Sequence, residues 1–124
     1  MQLISQAENG MAASKIISKA DYVIAQGTET VSGVEWTYRK WNSGIYECWT
    51  TCYDSTSATS HRFTGSTPIT FTATPCILAS GCNVAETDGG VRYAKTDTTT
   101  YEVFVKGSWN HDAYVNIHLI GKWK

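Results

Sequence analysis

The chain has 124 residues, with 10 Lys or Arg against 11 Asp or Glu and a formal net charge of −1. That length fits one domain and suffices for a core without disulfide or metal staples. The charge balance lacks the basic footprint of a nucleic-acid binder, and no run of about 18 apolar residues offers a membrane span, so neither nucleic acid nor membrane insertion is expected.

Thr is abundant and Pro scarce, and Thr with Val, Ile, Tyr and Trp favours strands. The predicted class is all-β, an antiparallel sandwich or jelly-roll-like barrel behind a short N-terminal linker or helix. From Met1 to Ser18, the apolar residues Leu3, Ile4, Ala7, Met11, Ala12, Ile16 and Ile17 fit helical spacing loosely. Gly10 argues against a long helix. No basic segment leads into an apolar one, so no secretory signal is read there. A short helix, a connector from a longer upstream polypeptide and a flexible start all fit. The domain reading is 1–19 as linker or stalk remnant and 20–124 as a single β-rich domain.

Lys19–Gln26 reads as a first strand, with Tyr22 and Ile24 on one face, and Gly27–Gly33 as a polar loop. Gly33–Tyr53 then holds three of the five tryptophans (Trp36, Trp41, Trp49) on either side of Asn42-Ser43-Gly44. Two aromatic, β-branched runs about a turn that needs φ > 0 predict a hairpin. Val34, Trp36 and Tyr38 share one face of its first strand. On the second, Ile45, Glu47, Trp49 and Thr51 alternate with Tyr46, Cys48, Thr50 and Cys52. Cys48 and Cys52 lie about 13 Å apart along such a strand, beyond the ~7 Å reach of a disulfide.

Asp54–Ser60 is loop by composition, and His61–Phe63 a short edge strand that stops at Gly65. Pro68 opens a predicted strand in which Ile69, Phe71 and Ala73 alternate with threonines. Pro75 interrupts, and pairing resumes over Cys76–Leu78. Cys76 and Cys82 flank Ser80-Gly81 and are within reach of each other if a turn forms there; whether they pair stays open, beside the plainer reading of four free thiols. Asn83–Glu86 and Val91–Lys95 are short strands about a turn at Thr87–Gly90. After a turn at Asp97-Thr98, Tyr101–Lys106 is a strand, Gly107–Asp112 a loop and Ala113–Lys124 the last strand. The expected core is Trp36, Tyr38, Trp49, Phe71, Val103, Ile117 and Leu119.

Little of this pattern carries reaction chemistry. His61, His111 and His118 form no metal-binding spacing, and C-x3-C with C-x5-C is a poor zinc pattern. Should the chain trimerise, an outward His118 would repeat three times about the axis and offer a metal or anion site. Ser108, His111 and Asp112 share one short segment with no nucleophile elbow around it. The acids Glu47, Glu86, Asp88, Glu102 and Asp112 are scattered, as solvated charges are. No catalytic residue, cofactor or resident metal is expected, and the protein reads as a non-enzyme. Trp109, Asn110, His111 and Asp112 remain: a flat ring beside hydrogen-bonding side chains, suited to stack on a sugar and bind its hydroxyls. The competing reading folds Trp109 inward to cap the barrel end.

The runs Ala20–Thr28 (ADYVIAQGT) and Gly33–Trp41 (GVEWTYRKW), with Gly44, Glu47-Cys48-Trp49 and the closing Ile120–Lys124 (IGKWK), resemble the C-terminal domain of tail proteins of phages and prophages that infect Gram-positive bacteria. The resemblance covers both ends and the first half of the chain; about 54–112 carries little that matches. It implies a β-rich distal module of a tail fibre or receptor-binding protein, usually a homotrimer. The implied partners are its own copies, upstream tail-fibre segments and a host cell-surface glycan or protein. The implied location is the virion tail, assembled in the host cytoplasm, where free thiols persist. A carbohydrate-binding module of a cell-wall-active protein is the alternative, and a polysaccharide depolymerase a more distant one.

Overall fold

The structure, a computed structural model, describes residues 21–83 and 89–124. Six antiparallel strands form one sheet: β1 (Val23–Val31), β2 (Val34–Trp41), β3 (Ile45–Ser66), β4 (Cys76–Asn83), β5 (Gly90–Thr96) and β6 (Thr100–Lys122). The spatial order is β1-β2-β3-β6-β4, and β5 also pairs with β6. The N-terminal linker or helix lies outside the described residues, as do most of the Asn83–Glu86 strand and the Thr87–Gly90 turn.

β3 and β6 decide the shape. They pair along nearly their whole length, from Ile45↔Lys122 to Ser66↔Thr100, and the register breaks between Asp54 and Ser60. Beyond that break β6 exchanges neighbours: its 113–120 part pairs with β4 and its 101–106 part with β5. A straight strand of this length would hold residue 100 some 70 Å from residue 122. Yet the Phe71 N–H donates to Thr98 O at 2.9 Å, and the next N–H, of Thr72, donates to Lys122 O at 3.0 Å. Trp36 of β2 also meets Tyr101 edge-on at 5.5 Å. The ribbon is therefore creased at its irregular middle and closes on itself. It is a sandwich made from one sheet, as bulges permit by bending and twisting a strand.

The core lies inside the crease. Tyr46 and Cys48 point into it from β3, and beyond the break His61 and Phe63 do so, so the inward positions pass from even to odd numbers. That one-residue shift is what a bulge does to a period-two pattern. β6 keeps odd numbers inward on both sides of the crease: Tyr101, Val103, Val105, Ala113, Val115, Ile117 and Leu119 are buried. Trp36 and Phe71 complete the layer, and Tyr38 packs against it half-buried. Trp49, expected in the core, is on the opposite face of β3. Its neighbours Cys48 and Thr50 are the buried ones, and alternation sends the indole outward.

The hairpin forms as its sequence dictates, with Gly44 at φ 104° and its N–H on Trp41 O. Several loops turn out to be strand. Gly27–Val31 continues β1, and the turn to β2 shrinks to Ser32 and Gly33, at φ 51° and 82°. Asp54–Ser60 and Gly107–Asp112 belong to β3 and β6. His61–Phe63 is part of β3, not a separate strand.

The Pro68–Thr74 segment, in contrast, is not strand. It caps the open end of the sandwich, where Phe71 sits in the core and packs over Gly121; a Cβ on Gly121 would come within 2.6 Å of the Phe71 ring. Cys76 and Cys82 lie on one continuous strand, six residues and about 20 Å apart, so the turn that would bring them together is absent and Cys76 is free.

Candidate functional site

Two surfaces combine aromatic rings with hydrogen-bonding groups. The first is the crease. His61 anchors it from below: the ring is buried, Nδ1 is 2.9 Å from Asp54 Oδ2, and Nε2–H donates to His111 O at 2.8 Å and Ala58 O at 3.1 Å. One side chain thus fastens the irregular parts of both long strands, where the ladder leaves backbone groups in need of partners. Asp54 also accepts the Thr56 N–H at 3.0 Å. The His61 bond, and then the Thr56 bonds, hold the Asp54 carboxyl below its ordinary range.

Above this anchor stand the sequence-predicted residues, in strand and not in a loop. Trp109 is 68 % exposed, so it does not fold inward as a cap. Asn110 is exposed beside it, and His111 and Asp112 are half-buried. Two of the four are tied into the fold. His111 contributes its backbone carbonyl to the anchor, and Asp112 accepts a hydrogen bond from the Tyr53 hydroxyl. That bond, foremost, raises the Tyr53 phenol above its usual range. Tyr53 (61 % exposed) and its cross-strand neighbour Tyr114 (37 %) extend the aromatic surface. Sequence reasoning missed both: Tyr53 shares its face of β3 with Trp49, which the sequence placed in the core, so its outward position emerges only from the β3–β6 register.

The second surface is the outer face of β2, β3, β6 and β4. Glu47 is its hub: it accepts the Trp41 indole N–H at 3.1 Å, and Arg39 and His118 approach it at 3.7 and 3.4 Å. The His118 contact has ion-pair distance without hydrogen-bond geometry, and Nε2 finds no hydrogen-bond partner among the described residues. The Arg39 guanidinium lies 5.2 Å over the Trp49 ring, and His118 meets the same ring edge-on. Beside them is a cleft of about 540 Å³, with Leu78 (55 % exposed) on its wall and Thr51, Ser80 and Asn116 on its floor. Among the described residues no three His, Cys, Asp or Glu side chains gather as a metal site would require.

No protein-family model matches the chain, and no curated protein does. Solved structures do. An N-truncated R1-type pyocin tail fibre superposes with a TM-score of 0.56 at 12 % identity, over 94 % of this chain and 98 % of that one. A C-terminal portion of the P. aeruginosa R1 pyocin fibre gives 0.57 at 14 % identity, over 90 % of this chain. This chain spans 31 % of that longer structure. At such identities the likeness is one of fold: this creased all-β sandwich is an architecture that pyocin tail fibres also use.

Proposed function

We propose that this domain is the receptor-binding head of a phage or phage-like tail fibre, acting as a homotrimer that presents its crease to a glycan or protein on the host surface. The supporting observation is geometric. Asp21 accepts the Ser43 N–H and hydroxyl, and Tyr22 and Asn42 exchange hydrogen bonds, so the chain enters the sandwich at the β2–β3 turn. Lys122 and Trp123 lie at that same end, with the Trp123 N–H on Gly44 O. The crease is the opposite end, about nine residues or 30 Å along β3. An upstream fibre segment joined at Asp21 would thus hold the domain by its base and point Trp109 away from the shaft.

The shared fold with pyocin tail fibres and the motif resemblance support the same reading, and the motifs favour a Gram-positive host. The role is binding and display, not catalysis, reached at the virion tail after assembly in the host cytoplasm. Residues 1–19 serve as the link to upstream segments. The test has two parts. Light scattering at micromolar concentration should give the mass of three chains; a monomer would remove the homotrimer. Labelled protein should decorate some members of a panel of Gram-positive cells, and Trp109→Ala should abolish the decoration while an exposed Lys106→Gln leaves it. Trimers that bind no cell would leave a purely structural role.

A further inference from the structure

Resting on that receptor-binding reading, we propose that the outer face of β3, β6 and β4 is a binding track for an extended, uncharged polysaccharide that runs from the Trp49 cleft to the crease. The registers of β3 with β6 and of β4 with β6 set the outward side chains in rows. Trp49, His118 and Leu78 form one row, Thr51, Asn116 and Ser80 the next, and Tyr53 with Tyr114 the third. Successive rows are two residues, about 6.6 Å, apart. Rings and Leu78 thus alternate with a row of hydroxyls and an amide. A polysaccharide offers the matching alternation of apolar ring faces and hydroxyl rims.

Two depressions give the track its relief. The 540 Å³ cleft lies on the β6 and β4 side of Trp49 and Thr51, and a second of about 490 Å³ lies on their β2 side and reaches Tyr53. Both fall within the size of ordinary ligand sites. The hydrogen-bonding row has capacity to spare. The Thr51 hydroxyl donates to Asn116 Oδ1 at 2.7 Å, and Asn116, at an exposed position, carries two amide N–H donors besides that oxygen.

Charge narrows the ligand. Facing the track are Glu35, Glu47 and Asp112 against Arg39 and His118, and Arg39 is already engaged by Glu47 and the Trp49 ring. A phosphate- or carboxylate-bearing polymer would meet more carboxylates than free cations. A protein partner fits less well, because interface cores are contiguous and apolar, and here a polar row divides the rings.

An array of bacterial polysaccharides, neutral and phosphate-bearing, tests this with the intact protein. Binding to neutral polymers should strengthen from disaccharide to hexasaccharide. Asn116→Ala and Tyr53→Ala, both at exposed positions, should each weaken hexasaccharide binding about tenfold, the value of one hydrogen bond or ring contact. They should barely change disaccharide binding. Hits confined to phosphate-bearing polymers would overturn the proposal. So would a Trp109→Ala loss unaccompanied by any effect of the two track variants, although that result would leave the receptor-binding head intact. Track variants that split the oligomer and spare binding would assign the face to a second copy instead, and cell binding with no array hit would point to a protein receptor.

Discussion

His61 Nδ1 lies 2.9 Å from Asp54 Oδ2, and this contact spans the irregular stretch where β3 changes its inward parity. The buried ring holds two carbonyls on its other nitrogen. His61→Ala would leave those carbonyls without their donor and open a cavity. The expected cost is about 2–4 kcal/mol in urea unfolding. A loss below 0.5 kcal/mol, roughly that of a surface change, would mean the crease does not depend on this residue.

The same contact gives a pH dependence. The Asp54 carboxyl is held below its ordinary range by His61 first and Thr56 next. A depressed folded-state pKa means that the stabilisation is complete above the unfolded value and fades as pH falls through the folded one. Asp97, depressed by the N–H groups of Thr99 and Thr100, adds in the same direction. Stability should therefore decline on acidification below the ordinary carboxylate range. Asp54→Asn should flatten that decline, measured as urea midpoints across the acid series; a parallel decline in wild type and variant would contradict the assignment.

Tyr46 is buried with a hydroxyl that has no hydrogen-bond partner among the described residues, and burial pushes its phenol pKa up. Its ring stacks on Tyr38 at 5.5 Å and meets Phe71 edge-on at 5.8 Å. Tyr46→Phe keeps both ring contacts and removes an unsatisfied polar group. It should be neutral or stabilising by up to about 1 kcal/mol. A clear loss of stability would show that the hydroxyl has a partner, most simply a bound water.

Thiol chemistry separates the inner and outer faces. Cys48 is buried, and desolvation, with Glu29 and Glu47 nearby, pushes its pKa up to about 12. Cys76 is exposed on β4. Since the thiolate is the reactive form, iodoacetamide at neutral pH should label Cys76 in the native protein and leave Cys48 untouched until denaturant is added. Mass spectrometry of the digested peptides reads this directly, and prompt labelling of Cys48 would place it outside the core.

Trp36 and Trp49 make the matching test for the hairpin. Trp36 is fully buried, so Trp36→Ala should cost about 3–5 kcal/mol. Trp49 faces outward under Arg39, so Trp49→Ala should cost clearly less. Equal costs would contradict the strand parity described above.

The hairpin was legible because its signals are local: an Asn-Ser-Gly turn and alternating bulky residues. The Tyr101–Lys106 strand was legible for the same reason. The crease was not. Asp54–Ser60 and Gly107–Asp112 have the composition of loops, but each is held in the ladder by the other across the sheet, and no single stretch records that pairing. Pro68–Thr74 misled in the opposite way. Its alternation is clean, but the chain there is drawn across the open end by hydrogen bonds from Phe71 to Thr98 and from Thr72 to Lys122. The Trp109 segment was visible as an odd composition, while the companion rings Tyr53 and Tyr114 required the β3–β6 register.

β6 comes after every strand it joins, and it joins three of them: β3, β4 and β5. During synthesis only β1 and β2 have all their sheet neighbours available before those 23 residues emerge, and β3 has one of its two. Distant pairings of this kind close slowly. The nascent chain must therefore wait, with β4 and β5 unattached, for the strand that will become the middle of the sheet.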